Sequence, residues 1–71
     1  LALPVLSWRE VLKALGKKGF KPIRQKGSHI YLQNESGRYT VVPRHAGIKK
    51  STLMKILAEA GLSREEFLDL L

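Results

Sequence analysis

The chain has 71 residues, no cysteine, 44% apolar residues and 27% charged ones. That length predicts a single domain over residues 1–71, near the size at which one hydrophobic core must hold the fold without disulfides or thiolate metal sites. Thirteen Lys and Arg against six Asp and Glu leave a net charge of +7 and a pI near 10.2, a balance that favours a polyanionic partner over a merely solvated basic surface.

The charge is unevenly placed. Glu59, Glu65, Glu66 and Asp69 lie in the last thirteen residues, whereas Arg9 to Lys50 carries eleven of the thirteen basic residues against Glu10 and Glu35. The opening run Leu1 to Leu6 is short, lacks a basic region before it and is broken by Pro4, so neither a signal peptide nor a membrane span is expected there. A cytoplasmic protein with no membrane partner and no disulfide chemistry is the resulting expectation.

Ser7-Trp-Arg-Glu10 has the form of a capping box and predicts a helix from Trp8. Trp8, Val11, Leu12 and Leu15 form its apolar stripe, and Gly19 is placed to end it. The period then changes to that of strands: Phe20 to Lys26, His29 to Gln33 and Arg38 to Val42, with turns at Gly27 and Gly37. Pro22 cannot donate to a ladder, so the first strand is expected at an edge or irregular there. Ile30 and Leu32 share one face of the second strand, which puts His29, Tyr31 and Gln33 on the other. The third strand has two admissible registers, burying either Tyr39 and Val41 or Thr40 and Val42 according to the length of the turn before it.

A loop from Pro43 to Lys50 leads to Ser51 as the expected cap of a second helix, with Leu53, Ile56, Leu57 and Ala60 inward and Gly61 as its stop. Ser63-Arg-Glu-Glu66 is a second capping box, opening a short last helix that should bury Phe67, Leu70 and Leu71. The predicted fold is α+β: a two-layer α-β-β-β-α arrangement with a three-stranded antiparallel sheet packed by helices on one face, the layer order of double-stranded-RNA-binding domains.

Four segments, Leu15-Gly-Lys-Lys-Gly-Phe20, Arg24-Gln-Lys-Gly-Ser-His29, Val41-Val-Pro-Arg-His45 and Leu53-Met-Lys-Ile-Leu-Ala-Glu-Ala-Gly61, occur in the order and spacing of the HicA (YcfA-like) toxins, which the chain resembles from about Ser7 to Ser63. The resemblance implies a toxin of a type II toxin–antitoxin system with a double-stranded-RNA-binding-like fold, cleaving messenger RNA and silenced by a HicB antitoxin. It also implies that the histidine of Gly-Ser-His, here His29, is catalytic. Trp8 and the acidic turn after Gly61 are not motif positions.

The residues themselves are compatible with that chemistry. RNA carries its own nucleophile, the 2′-hydroxyl, so a nuclease needs chiefly a proton-moving group and positive charge, and histidine ordinarily titrates near neutrality. Antiparallel pairing brings His45 to the same end of the sheet as His29, as a phosphate contact or second proton relay. Arg24, Lys26, Gly27, Ser28, Tyr31, Arg44, Lys49 and Lys50 complete the expected RNA-binding set, with Tyr31 offering a stacking surface and the two lysines standing at a helix N-terminus. Two histidines without clustered carboxylates or thiolates make a poor ligand set, so neither metal nor other cofactor is expected. The alternative from another class is a non-catalytic double-stranded-RNA-binding module.

Overall fold

Ser7 opens the first helix, α1 (Trp8–Gly16), in the computed structural model, which describes residues 3–71, so that the first two residues of the apolar opening run lie outside it. The capping box is complete: the Glu10 N–H donates to Ser7 Oγ at 3.3 Å and the Ser7 N–H donates to Glu10 Oε1 at 3.0 Å. Of the expected stripe, Val11 and Leu15 are buried and Trp8 and Leu12 pack partly against the core, while Ala14, between them on the helix, is buried as well. Past Gly16 the chain closes with Gly19 N–H donating to Gly16 O and Phe20 N–H to Leu15 O, a Schellman ending.

Three strands follow, β1 (Lys21–Lys26), β2 (His29–Gln33) and β3 (Tyr39–Pro43), forming an antiparallel sheet in that order. The ladder shifts register between Pro22 and Arg24, so β1 is both an edge strand and irregular where the imino acid removes a donor. The β1–β2 connection has two residues, with Gly27 at φ 60, the glycine-first pattern of a II′ hairpin. Between β2 and β3 the loop is three residues long, Glu35-Ser36-Gly37, closed by the Asn34 N–H donating to Arg38 O and by Asn34 Oδ1 accepting from the Arg38 N–H.

That turn length resolves the open register. Ile30 pairs with Val42 and Leu32 with Thr40, and all four are buried on one face. Thr40 is the one buried polar residue among those described, and its hydroxyl donates to Glu59 Oε1 at 2.9 Å.

The second helix, α2 (Lys50–Ala60), departs from expectation at its start: its N-cap is Lys49, without any side-chain cap bond, and Ser51 lies one residue inside the helix. A lysine has no acceptor to offer the first-turn amides, so the segment is held by other bonds. Ile48 N–H donates to Leu6 O and Trp8 N–H to His45 O, which lace residues 45–48 to the strand-like run ahead of α1. At the far end Gly61, at φ 73, closes a second Schellman motif, with Leu62 N–H donating to Leu57 O.

The third helix, α3 (Arg64–Asp69), carries its predicted capping box between Ser63 and Glu66 and buries Phe67 completely. Leu70 packs partly against the core, but Leu71, expected inward, is half exposed because α3 ends at Asp69 and the last residue runs past the cluster. The core is one layer between sheet and helices, in which Ile30, Leu32 and Val42 meet Val11, Leu15, Leu53, Ile56, Leu57 and Phe67. This is the two-layer α+β order, and among the described residues no further helix or strand is left to cover the opposite sheet face.

Candidate functional site

Residues paired across an antiparallel ladder share a face, so the register defines what the uncovered side of the sheet displays. Three rows result: Lys26, His29 and Pro43; Arg24, Tyr31 and Val41; Lys21, Gln33 and Tyr39. No strand contains an Asp or Glu. The Arg24 guanidinium lies over the Tyr31 ring, 4.5 Å from its centroid, and the Tyr31 and Tyr39 centroids are 5.9 Å apart with planes tilted by 34°. Tyr31 is half-buried in this stack while Tyr39 keeps 41% of its surface.

His29 begins β2 directly after the Gly27-Ser28 hairpin and is exposed. The same hairpin is fastened to the segment after β3, because Ser28 O accepts the Arg44 N–H at 2.6 Å and the His45 N–H turns back onto Pro43 O at 2.8 Å. Both histidines thereby line one cleft of about 330 Å³ between the β3 edge and α2. Val41 and Pro43 contribute to its sheet side, and Thr52, Lys55, Ile56 and Glu59 form its helix side. The cleft therefore sets two imidazoles against a cation, Lys55, and a carboxylate, Glu59, the latter held by Thr40.

The other expected contacts divide between this cleft and its surroundings. Lys26 sits opposite His29 in the ladder, and Arg24 and Tyr31 occupy the next row of the same face. Arg44 does not line the cleft. Its guanidinium lies over the Trp8 ring at 4.9 Å, with that of Arg9 at 5.1 Å, so Trp8 serves as a shelf for two cations as well as a flank of the core. Lys49 and Lys50 are exposed at the start of α2 and lie outside the cleft lining.

Sequence reasoning missed Tyr39 and the helix side of the cleft. Thr52, Lys55 and Glu59 recur at three and four residues, beside the apolar stripe of Leu53, Ile56, Leu57 and Ala60, so they form a second stripe facing the same way as the sheet edge. A polar stripe at helical spacing was the available signal. Among the described residues no group of three or more His, Cys, Asp or Glu is placed to hold a metal ion, and no helix is long and apolar enough to cross a membrane.

A family model described as HicA toxin of bacterial toxin–antitoxin matches residues 8–62, which runs from the first residue of α1 past the end of α2 and includes both histidines. A search of curated proteins finds no match.

Proposed function

Because the chain belongs to the HicA toxin family of bacterial toxin–antitoxin systems, we propose that it is an endoribonuclease toxin that cleaves messenger RNA with His29 as catalytic acid–base and is silenced by a HicB-type antitoxin. The observation that carries this reading is the pairing of His29 and His45 on one cleft, at the end of a sheet face that holds Lys21, Arg24 and Lys26 and no carboxylate.

In the reaction proposed for this cleft, His29 accepts the proton of a ribose 2′-hydroxyl as that oxygen attacks the adjacent phosphorus. The new bond is P–O2′, the bond broken is P–O5′, and protonated His45 returns a proton to the departing 5′ oxygen. A 2′,3′-cyclic phosphate and a free 5′-hydroxyl result, with no change in oxidation state. Lys55 and the strand cations stabilise the charge that builds on the nonbridging oxygens, a contribution that grows as water is displaced from the cleft. Each imidazole works within hydrogen-bond reach of the atom it serves, and such proton transfer is ordinarily worth about 10²–10⁴ in rate.

An antitoxin that covers the same face would inhibit by excluding RNA, and an acidic surface would suit a face with this charge. The test is incubation of purified protein with RNA, with and without EDTA, followed by analysis of product ends. Scission leaving a 2′,3′-cyclic phosphate and a 5′-hydroxyl is expected under both conditions. Salt-sensitive binding without scission would instead identify a non-catalytic RNA-binding module, and an antitoxin complex that still cleaves would overturn the occlusion part.

A further inference from the structure

Two tyrosines and an arginine on the uncovered sheet face have a geometry that cleavage at His29 does not require. The rows of His29, Tyr31 and Tyr39 follow one another along the strands, and residues two apart on a strand are separated by about 6.6 Å. The Arg24 guanidinium, from β1, lies 4.5 Å from the Tyr31 centroid, and the Tyr39 ring, from β3, lies 5.9 Å from it, so Tyr31 is in contact with a neighbour from each flanking strand. Tyr39 nevertheless keeps 41% of its surface, and beside the uncharged Gln33, Val41 and Pro43 the face carries Lys21, Arg24, Lys26 and His29. An aromatic surface set among cations without any carboxylate suits a planar ring attached to a phosphate, whereas a pair present only for cross-strand packing would gain nothing from the missing acids.

We propose that Tyr31, Tyr39 and Arg24 form a base-stacking platform, so that the substrate is RNA with an unpaired base two rows of the sheet, roughly 13 Å, from the phosphate presented to His29. The inference rests on the RNA-cleaving reading and narrows it to a substrate class. In a duplex the faces of the bases are occupied by their own neighbours, and a protein can reach only edges, sugars and phosphates. A stacking platform is idle against such a substrate. Bound single-stranded, one nucleotide lays its base on the exposed Tyr39 ring while the strand cations hold its backbone, and the chain continues along β2 toward His29 and the cleft.

The test uses the intact protein and short 2′-O-methyl oligonucleotides, which lack the nucleophile and so report binding alone. Affinity is measured by fluorescence anisotropy across a salt series for a single strand, for the same strand annealed to its complement, and for the single strand with its bases removed. Stacking on one base is worth roughly 5- to 150-fold in affinity. The platform predicts a loss of that size for the abasic strand, and the same loss for the intact strand on Tyr39→Ala, with Tyr39→Phe near the unmodified protein. The dependence on salt should keep its slope, since no phosphate contact is removed.

Equal affinity for duplex and single strand, or an abasic strand bound as tightly as an intact one, overturns the platform. If cleavage of RNA persists in that case, the nuclease reading survives it. Absence of both cleavage and salt-dependent RNA binding would instead remove the reading on which the platform rests.

Discussion

Phe67→Ala is the perturbation whose magnitude follows most directly from the packing. Phe67 is completely buried, although α3 lies outside the segment that matches the family model. A helix of six residues has no stability of its own in water, so α3 must be ordered by what it buries and by its ends. The capping box contributes at one end, and Lys17 Nζ donates to Leu70 O at 2.7 Å near the other.

Truncating a buried phenylalanine costs about 3–5 kcal/mol through lost transfer energy and the cavity that remains. A chain of this length is held by roughly 4–11 kcal/mol in all. The variant should therefore lose about a quarter or more of its stability and melt roughly 20–30 °C lower. Urea titration followed by far-ultraviolet circular dichroism measures this as a lower midpoint with an unchanged slope. Leu71→Ala, at a half-exposed position, is the control and should stay within about 0.5 kcal/mol of the parent. A Phe67→Ala loss below about 1 kcal/mol, or equal losses for the two variants, would refute the claim that α3 is part of the core.

The remaining predictions concern single interactions. Gly61→Ala places a Cβ at positive φ, 2.5 Å from the Arg38 guanidinium carbon, and should cost about 1–2 kcal/mol on thermal unfolding. Gly16→Ala meets nothing within 4 Å in a right-handed helix and should instead stabilise by about 0.5–1 kcal/mol; a shared sign for the two would contradict the assigned backbone conformations. Backbone and side-chain hydrogen bonds from Ser63 hold the Glu66 carboxyl below its ordinary range, aided by the nearby Lys18 charge and opposed by slight desolvation. Between the lowered folded value and the ordinary unfolded one the unfolded chain binds more protons, so this contribution is complete above the ordinary value and disappears as pH falls through the folded one. Glu66→Gln should flatten that acidic limb in urea midpoints measured against pH, and an unchanged limb would exclude Glu66 as its source.

Most of the fold was legible because local signals agreed with the period. Both capping boxes are formed as the Ser-x-x-Glu pattern requires, and the apolar spacings of α1 and α2 mark the faces that are buried. The third strand was ambiguous for a definite reason: register depends on loop length, and Asn34 closes the hairpin through both its backbone and its side chain, leaving a three-residue loop. Ser51 was misleading because cap preference is local, whereas the start of α2 is determined by the pairing of Leu6 with Ile48, far away in sequence.

The candidate site was legible on the strands and at His45 just beyond them. Period-two alternation placed His29 and Tyr31 on one face, but it carries no information about what a helix contributes from across a cleft. Lys55 and Glu59 belong to the site through packing of α2 beside β3, a tertiary relation without a motif of its own. Arg44, expected as an RNA contact, likewise owes its placement to a tertiary relation, with its guanidinium over Trp8 and outside the cleft lining.

The central claim is that the His29 imidazole performs the proton transfer. Its most direct measurement is single-turnover cleavage of RNA in EDTA by the unmodified protein and by His29→Ala, with circular dichroism confirming that both are folded. The account predicts a rate reduced by about 10²–10⁴ in the variant while RNA binding is kept. A folded His29→Ala that cleaves at the parental rate would contradict it.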